Sequence, residues 1–154
     1  MAIITSIYRC ANCGSKNVQA YSKDGKQINN FTDILASNQI NIRALSIAET
    51  EGFGILRLIV DNEAAAEKVL TEEGYLIKIT DVVGVKIGDA PGKLSAALKV
   101  LNEAGINMEY LYAFMARTER HAYVVLRVPN NDEAEAVLEK AGYHIITEAD
   151  VNKL

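Results

Sequence analysis

Apolar positions along this chain recur with two periods, and the order in which the periods alternate is the same in both halves. The second half is the clearer. Val82–Ile87 is a run rich in β-branched residues, which predicts a strand. Asp89-Ala90-Pro91-Gly92 follows as a turn, with Pro91 expected in the first turn of a helix, where its missing N–H is not needed. Leu94, Ala97, Leu98 and Leu101 then fall at i, i+3, i+4 and i+7, the spacing of one helix face. Gly105 is placed to end that helix in the left-handed conformation. A strand is predicted over Ile106–Met115, then a polar loop, then a strand over Ala122–Val128. Asn131 or Asp132 is expected to cap a second helix whose inner face is Ala134, Val137, Leu138 and Ala141. Gly142 stops it, and Tyr143–Ile146 is the last strand. The order β-α-β-β-α-β is the split βαβ, or ferredoxin-like, plan.

The first half follows the same order. Ile28, Phe31, Ile34 and Leu35 mark the inner face of its first helix. Ile40–Ala48 and Phe53–Val60 pair as strands across Glu49–Gly52. Asn62 caps a helix that packs Ala66, Val69 and Leu70, and Leu76–Ile79 is the last strand. Two stretches compete for the first strand, Ala2–Tyr8 and Asn17–Tyr21. Ala2–Tyr8 has the stronger β-branched character and is preferred. Residues 9–26 then become an irregular insertion before the first helix.

The agreement extends to residues. Ile40-Asn41-Ile42 answers to Ile106-Asn107-Met108, Leu58–Asn62 to Leu126–Asn130, and Gly74-Tyr75 to Gly142-Tyr143. The offset grows from 66 at Asn41/Asn107 to 68 at Gly74/Gly142, so the second copy carries two extra residues, most simply around Arg117–Arg120. An internal repeat of this length sets the architecture before any single motif does. The chain is expected to be α+β, two tandem ferredoxin-like modules packed side by side, residues 1–81 and 82–154. Only about two residues separate their last and first strands, which predicts a rigid junction. Ile106–Met115 is apolar on both faces, with Met108, Tyr110, Tyr112 and Phe114 alternating with Leu111, Ala113 and Met115. The face away from the helices therefore needs cover, for which a second copy of the chain is the expected source.

Composition narrows the function. The net charge is −4, with 16 basic and 20 acidic residues intermixed, and no basic patch or stripe of the kind that binds nucleic acid. No apolar run is long enough to span a bilayer. The N-terminus has no secretory-signal pattern, and two cysteines fit a reducing cytoplasm.

A Pro-Gly turn opening the first helix and a Gly-Ile-Asn step opening the second strand, inside β-α-β-β-α-β modules, resemble the ACT domains. Here they are Asp89-Ala90-Pro91-Gly92-Lys93-Leu94 and Gly105-Ile106-Asn107. The resemblance covers about residues 27–150, and the chain is similar to small stand-alone tandem ACT proteins without a catalytic domain. It implies a non-catalytic, allosteric regulatory protein, homodimeric, that binds a small amino acid where one module's turn meets a neighbour's strand. It also implies an enzyme or regulator of amino-acid metabolism as partner. The implied ligand residues are Asp89, Pro91, Gly92, Leu94 and Asn107. In the first copy they are Asn41 and, in place of the Pro-Gly turn, Asp24 and Gly25 of Lys23-Asp24-Gly25-Lys26. The chemistry is consistent: a helix start offers unpaired N–H groups to a carboxylate, and an Asn amide serves either end of an amino acid.

Cys10-Ala11-Asn12-Cys13-Gly14 is a second motif, half of a zinc ribbon. A structural zinc takes four ligands, and the chain has no second cysteine pair, so two chains would have to share one ion. Metal binding through Cys10 and Cys13 is therefore the alternative function, and a ligand-free structural partner of an enzyme is a third. No cofactor is expected. A redox pair needs a helix at the first cysteine, which Gly14-Ser15-Lys16-Asn17 does not offer. The fold is also that of heavy-metal chaperones, but the apolar helix begins far from the thiols, near Ile28. Phosphate-loop, dinucleotide and zinc-protease motifs are absent. His121 is expected in a loop and His144 in a strand. Arg57 and Arg127, in strands, are candidates to bind a carboxylate, with snorkelling or an ion pair with a neighbouring acid the preferred reading.

Overall fold

The computed structural model describes residues 2–7, 28–50, 53–115, 121–147 and 150. They form two compact units, Ala2–Thr80 and Asp81 onward, each a four-stranded antiparallel sheet with two helices.

The first unit contains β1 (Ala2–Ile7), α1 (Ile28–Ser37), β2 (Ile42–Thr50), β3 (Phe53–Val60), α2 (Glu63–Glu72) and β4 (Leu76–Asp81). The strand order is β2-β3-β1-β4, so β1 is central and β2 is an edge. Ala2–Ile7 supplies the first strand, the preferred of the two readings. Phe31, Leu35, Ala66 and Leu70 on the helices bury against Leu56, Leu58 and Val60 on β3. Tyr75 closes that core edge-on to Phe31, with ring centroids 5.3 Å apart.

The second unit contains β5 (Val83–Gly88), α3 (Lys93–Glu103), β6 (Tyr110–Met115), β7 (His121–Arg127), α4 (Asn131–Lys140) and β8 (His144–Ile145), in strand order β6-β7-β5-β8. Its core joins Val83, Val85 and Ile87 of β5 to Ala97, Leu101, Val124, Leu126, Ala134 and Leu138. Leu94 and Leu98 pack at its margin, as the helical spacing predicts.

Several local expectations are corrected. The cap of α4 is Asn130, not Asn131 or Asp132. Asn130 has extended backbone, φ −131° and ψ 101°, and its side chain accepts from the Glu133 N–H at 3.3 Å. Asn62 does the same for Ala65 on α2, at 3.0 Å. Ala141 is the exposed C-cap of α4 and not part of its inner face. His121 opens β7 and is not in a loop. Strand β6 begins at Tyr110, four residues later than expected. Its opposite number there, Pro129, has no N–H to continue a ladder, and Met108 turns to the helix-side core with Leu111.

Burial also extends to the face away from the helices. Tyr123 and Val125 alternate along β7 with the core residues Val124 and Leu126, and Tyr112 stands opposite Val125 on β6. Val125 is 0% exposed, and Tyr112 and Tyr123 are buried, within the single chain. Large exposed apolar side chains lie elsewhere: Leu45 and Ile47, on edge strand β2, are 45% and 47% exposed. The expectations for residues 9–26, which include Cys10, Cys13, Asp24 and Gly25, and for Arg117–Arg120 fall outside the described residues.

Candidate functional site

The most specific motif, Asp89-Ala90-Pro91-Gly92, leads into a type II turn over Ala90, Pro91, Gly92 and Lys93, at the start of the helix. Gly92 has φ 86° and ψ −11°, the third-position geometry that needs glycine, and Pro91 precedes it at the position whose φ the ring pre-sets. The Lys93 N–H closes the turn on the Ala90 carbonyl at 3.1 Å. Pro91 thus stands two residues ahead of α3 and not in its first turn. The motif makes a stop in the chain before it makes a helix.

Gly92 is the cap residue of α3, and its carbonyl accepts the first helical bond from Ala96 at 2.9 Å. No side chain caps this helix. In α2 and α4 an asparagine takes the N–H three residues into the helix; in α3 the corresponding Ser95 N–H has no such partner. Asp89, Pro91 and Gly92 are exposed, and Leu94 is half-buried against the core.

Asn107 is exposed, in the segment leading to β6. Its counterpart Asn41 is also exposed, but its backbone is held. The Asn41 N–H donates to Asp61 Oδ1 at 3.0 Å, and its carbonyl accepts from the Asp61 N–H at 3.2 Å. The repeat puts Pro129 at the place of Asp61, and among the described residues no such bond is made to Asn107. Two residues beyond Asn41, β2 carries a bulge between Ile42 and Ala44, with Arg43 as the extra residue.

Within the second unit the turn and Asn107 are not together. Strand pairing sets Tyr110 against Arg127, and Val83 against Leu126 at the same end of the sheet. Gly88, which leads into the turn, pairs with His121 at the other end. A six-residue strand separates the ends by roughly 20 Å.

Arg127 is the residue that sequence reasoning undervalued. Its Nη1 donates to the carbonyls of Val128 at 2.9 Å and Asp81 at 3.2 Å, and its Nε faces the Glu109 carboxylate at 3.7 Å. An ion pair with a neighbouring acid was expected; the two carbonyls were not. The repeat offers the signal, because the residue that answers to Arg127 in the first copy is the buried Ile59.

A profile of the ACT domain pair matches residues 16–154. The chain belongs to the ACT domain family. A crystal structure of a Bacteroides thetaiotaomicron protein is similar to this ACT pair at 31% identity, covers 99% of it and 96% of its own length, and superposes with a TM-score of 0.83. The regulatory subunit of aspartate kinase from Thermus thermophilus, in its ligand-free form, has the same fold at 16% identity, 91% of each chain and a TM-score of 0.58. So do aspartokinase alpha and beta subunits, at 19% identity, 92% and 91% coverage and a TM-score of 0.58. No curated protein matches. The ACT pair shares its fold with both aspartate kinase proteins. Among its described residues no helix is long and apolar enough to cross a membrane, and no group of His, Cys, Asp and Glu side chains could hold a metal ion.

Proposed function

We propose that this ACT pair is a non-catalytic regulatory protein that binds a small amino acid, and that the site is completed by a second copy of the chain. The observation that carries the reading is the open start of α3. Gly92 brings the chain into the helix with no side chain over the first turn, and the Ser95 N–H has no capping partner. Unpaired N–H groups at the positive end of a helix suit a carboxylate. The exposed Asp89, the residue just before the same turn, suits the ammonium of the same ligand.

The neighbouring half of the site comes from a strand start, Asn107 or its counterpart Asn41. These lie at the opposite end of the sheet from the turn, so one module alone cannot supply both halves. Two modules pairing antiparallel, edge to edge, bring the turn end of one level with the strand start of the other. Among the described residues strands β2 and β6 are sheet edges, and the exposed Leu45 and Ile47 on β2 favour such pairing. The ligand then favours the paired arrangement by as much as it binds that arrangement better, and the shift is what a partner enzyme or regulator reads.

The test is calorimetric titration of the individual amino acids into the purified chain and into Asn107→Ala. Binding to the chain that weakens in the variant supports the site. Binding that is unchanged in the variant removes Asn107 from it.

A further inference from the structure

The two strand starts of the repeat are held in different ways. In the first copy the ladder runs on to Asn41, whose N–H and carbonyl are both bonded by Asp61. In the second copy Pro129 replaces Asp61, and the strand proper waits until Tyr110. The residue just before Tyr110, Glu109, is held by Arg127. Its main-chain carbonyl accepts from the Glu109 N–H at 2.9 Å, and its guanidinium faces the Glu109 carboxylate at 3.7 Å.

The same guanidinium reaches the other way. Nη1 holds the carbonyl of Asp81, the last residue of β4 and the first of the second unit, at 3.2 Å. The next two residues, Val82 and Val83, are buried, so the main chain at this point is fixed on one side by packing and on the other by Arg127. Arg127 is itself only about a quarter exposed, so its bonds are less screened than those of a surface pair. The repeat does not reproduce the pair Glu109 and Arg127 in the first copy. There the positions of Glu109 and Arg127 are taken by Arg43 and Ile59.

We propose that Arg127 is a positioning residue that couples the second copy's strand start to the chain junction at Asp81–Val83. Glu109 lies two residues from Asn107, so a ligand that moves or orders Asn107 changes the Glu109 contact. The guanidinium then re-divides its bonding between the carboxylate and the Asp81 carbonyl. One planar group with several donors in fixed directions suits this; an ammonium is a compact point charge without that fixed fork. The second copy is the responsive one and the first, closed by Asp61, is the fixed one. The direction of the response rests on the amino-acid reading above; the mechanical link does not.

Amide hydrogen exchange on the full chain tests both, in the wild type, Glu109→Gln and Arg127→Lys. Glu109→Gln removes the charge but leaves the Arg127 carbonyl bonds and the fold. Without ligand, either variant is expected to change exchange at Val82 and Val83 by roughly threefold to tenfold, the range of coupled neighbours. With the standard amino acids added singly at about 1 mM, a level that detects weak binding, the wild type is expected to change protection at both Glu109 and the junction. Glu109→Gln is expected to bind but lose the junction response. Unaltered junction exchange in both variants without ligand overturns the coupling, as does a junction response that survives in Glu109→Gln. A junction altered by the variants together with no wild-type response to any amino acid keeps the link and overturns the amino-acid reading.

Discussion

Asn41 and Asp61 clasp each other: the Asn41 N–H donates to the Asp61 carboxylate at 3.0 Å, and the Asp61 N–H donates back to the Asn41 carbonyl at 3.2 Å. This clasp closes the start of β2. Asp61→Ala leaves the main-chain bond and removes the carboxylate, and is expected to cost about 1 kcal/mol, the net worth of one hydrogen bond. Asp61→Pro imitates the second copy, removes both bonds and is expected to cost about twice as much. Urea denaturation of the two variants against the wild type checks the order.

The helix caps give a sharper contrast, because two adjacent asparagines have different roles. Asn130→Ala removes the side chain that receives the Glu133 N–H and is expected to destabilise the second unit by about 1 kcal/mol. Asn62→Ala is expected to do the same to the first unit through Ala65. Asn131→Ala replaces a first-turn helical residue with a better helix former and is expected to change stability by less than about 0.5 kcal/mol. Thermal unfolding of the three variants distinguishes the residues.

Gly92 carries φ 86° with no atom near its open side, so a substitution there is opposed by backbone conformation and not by crowding. Gly92→Ala is expected to cost about 1–2 kcal/mol, and Gly92→Asn less, since asparagine tolerates the left-handed region better. Both side chains also stand at the open start of α3. In the amino-acid reading they weaken binding more than their stability cost explains, which titration of each variant measures.

Two apolar surfaces are expected to respond in opposite ways. Val125, on the face away from the helices, is 0% exposed, so Val125→Ala is expected to cost about 1.5–3 kcal/mol. Leu45→Lys and Ile47→Lys, on the exposed edge of β2, are expected to leave the unfolding temperature of the unpaired chain nearly unchanged and to weaken self-association. Sedimentation velocity over a concentration series, beside thermal unfolding, checks both.

Much of this fold was legible because burial and period agree. Leu94, Ala97, Leu98 and Leu101 lie on one helix face in the sequence and against one core in the structure. Asn62 announced its cap by standing before a helical run. The same signal was present at Asn130, hidden by the asparagine and aspartate that follow it; aligning Asn62 with Asn130 across the repeat resolves it. The late start of β6 was not read because apolar alternation continues through Met108, while the residue that prevents pairing, Pro129, lies in a different segment. The burial of Tyr112, Tyr123 and Val125 was not readable either, since alternation shows that a face is apolar and not what covers it. Of the candidate site, the Pro-Gly turn was legible from glycine and proline chemistry. The role of Arg127 was not, because its partners Asp81 and Glu109 are distant in sequence and two of its bonds go to main-chain carbonyls, which carry no side-chain signature.

The central claim, that this ACT pair binds an amino acid through its native state, is tested most directly by thermal unfolding of the wild-type chain against each standard amino acid in turn. A ligand bound only by the native state at a hundredfold excess over its Kd stabilises by about 2.7 kcal/mol. For a chain of this size that is an upward shift of roughly 5–10 °C. One or two amino acids are expected to give such a shift and the rest none, with the shift reduced in Asn107→Ala. An unfolding temperature that stays the same with every amino acid, at concentrations up to several millimolar, would contradict the claim.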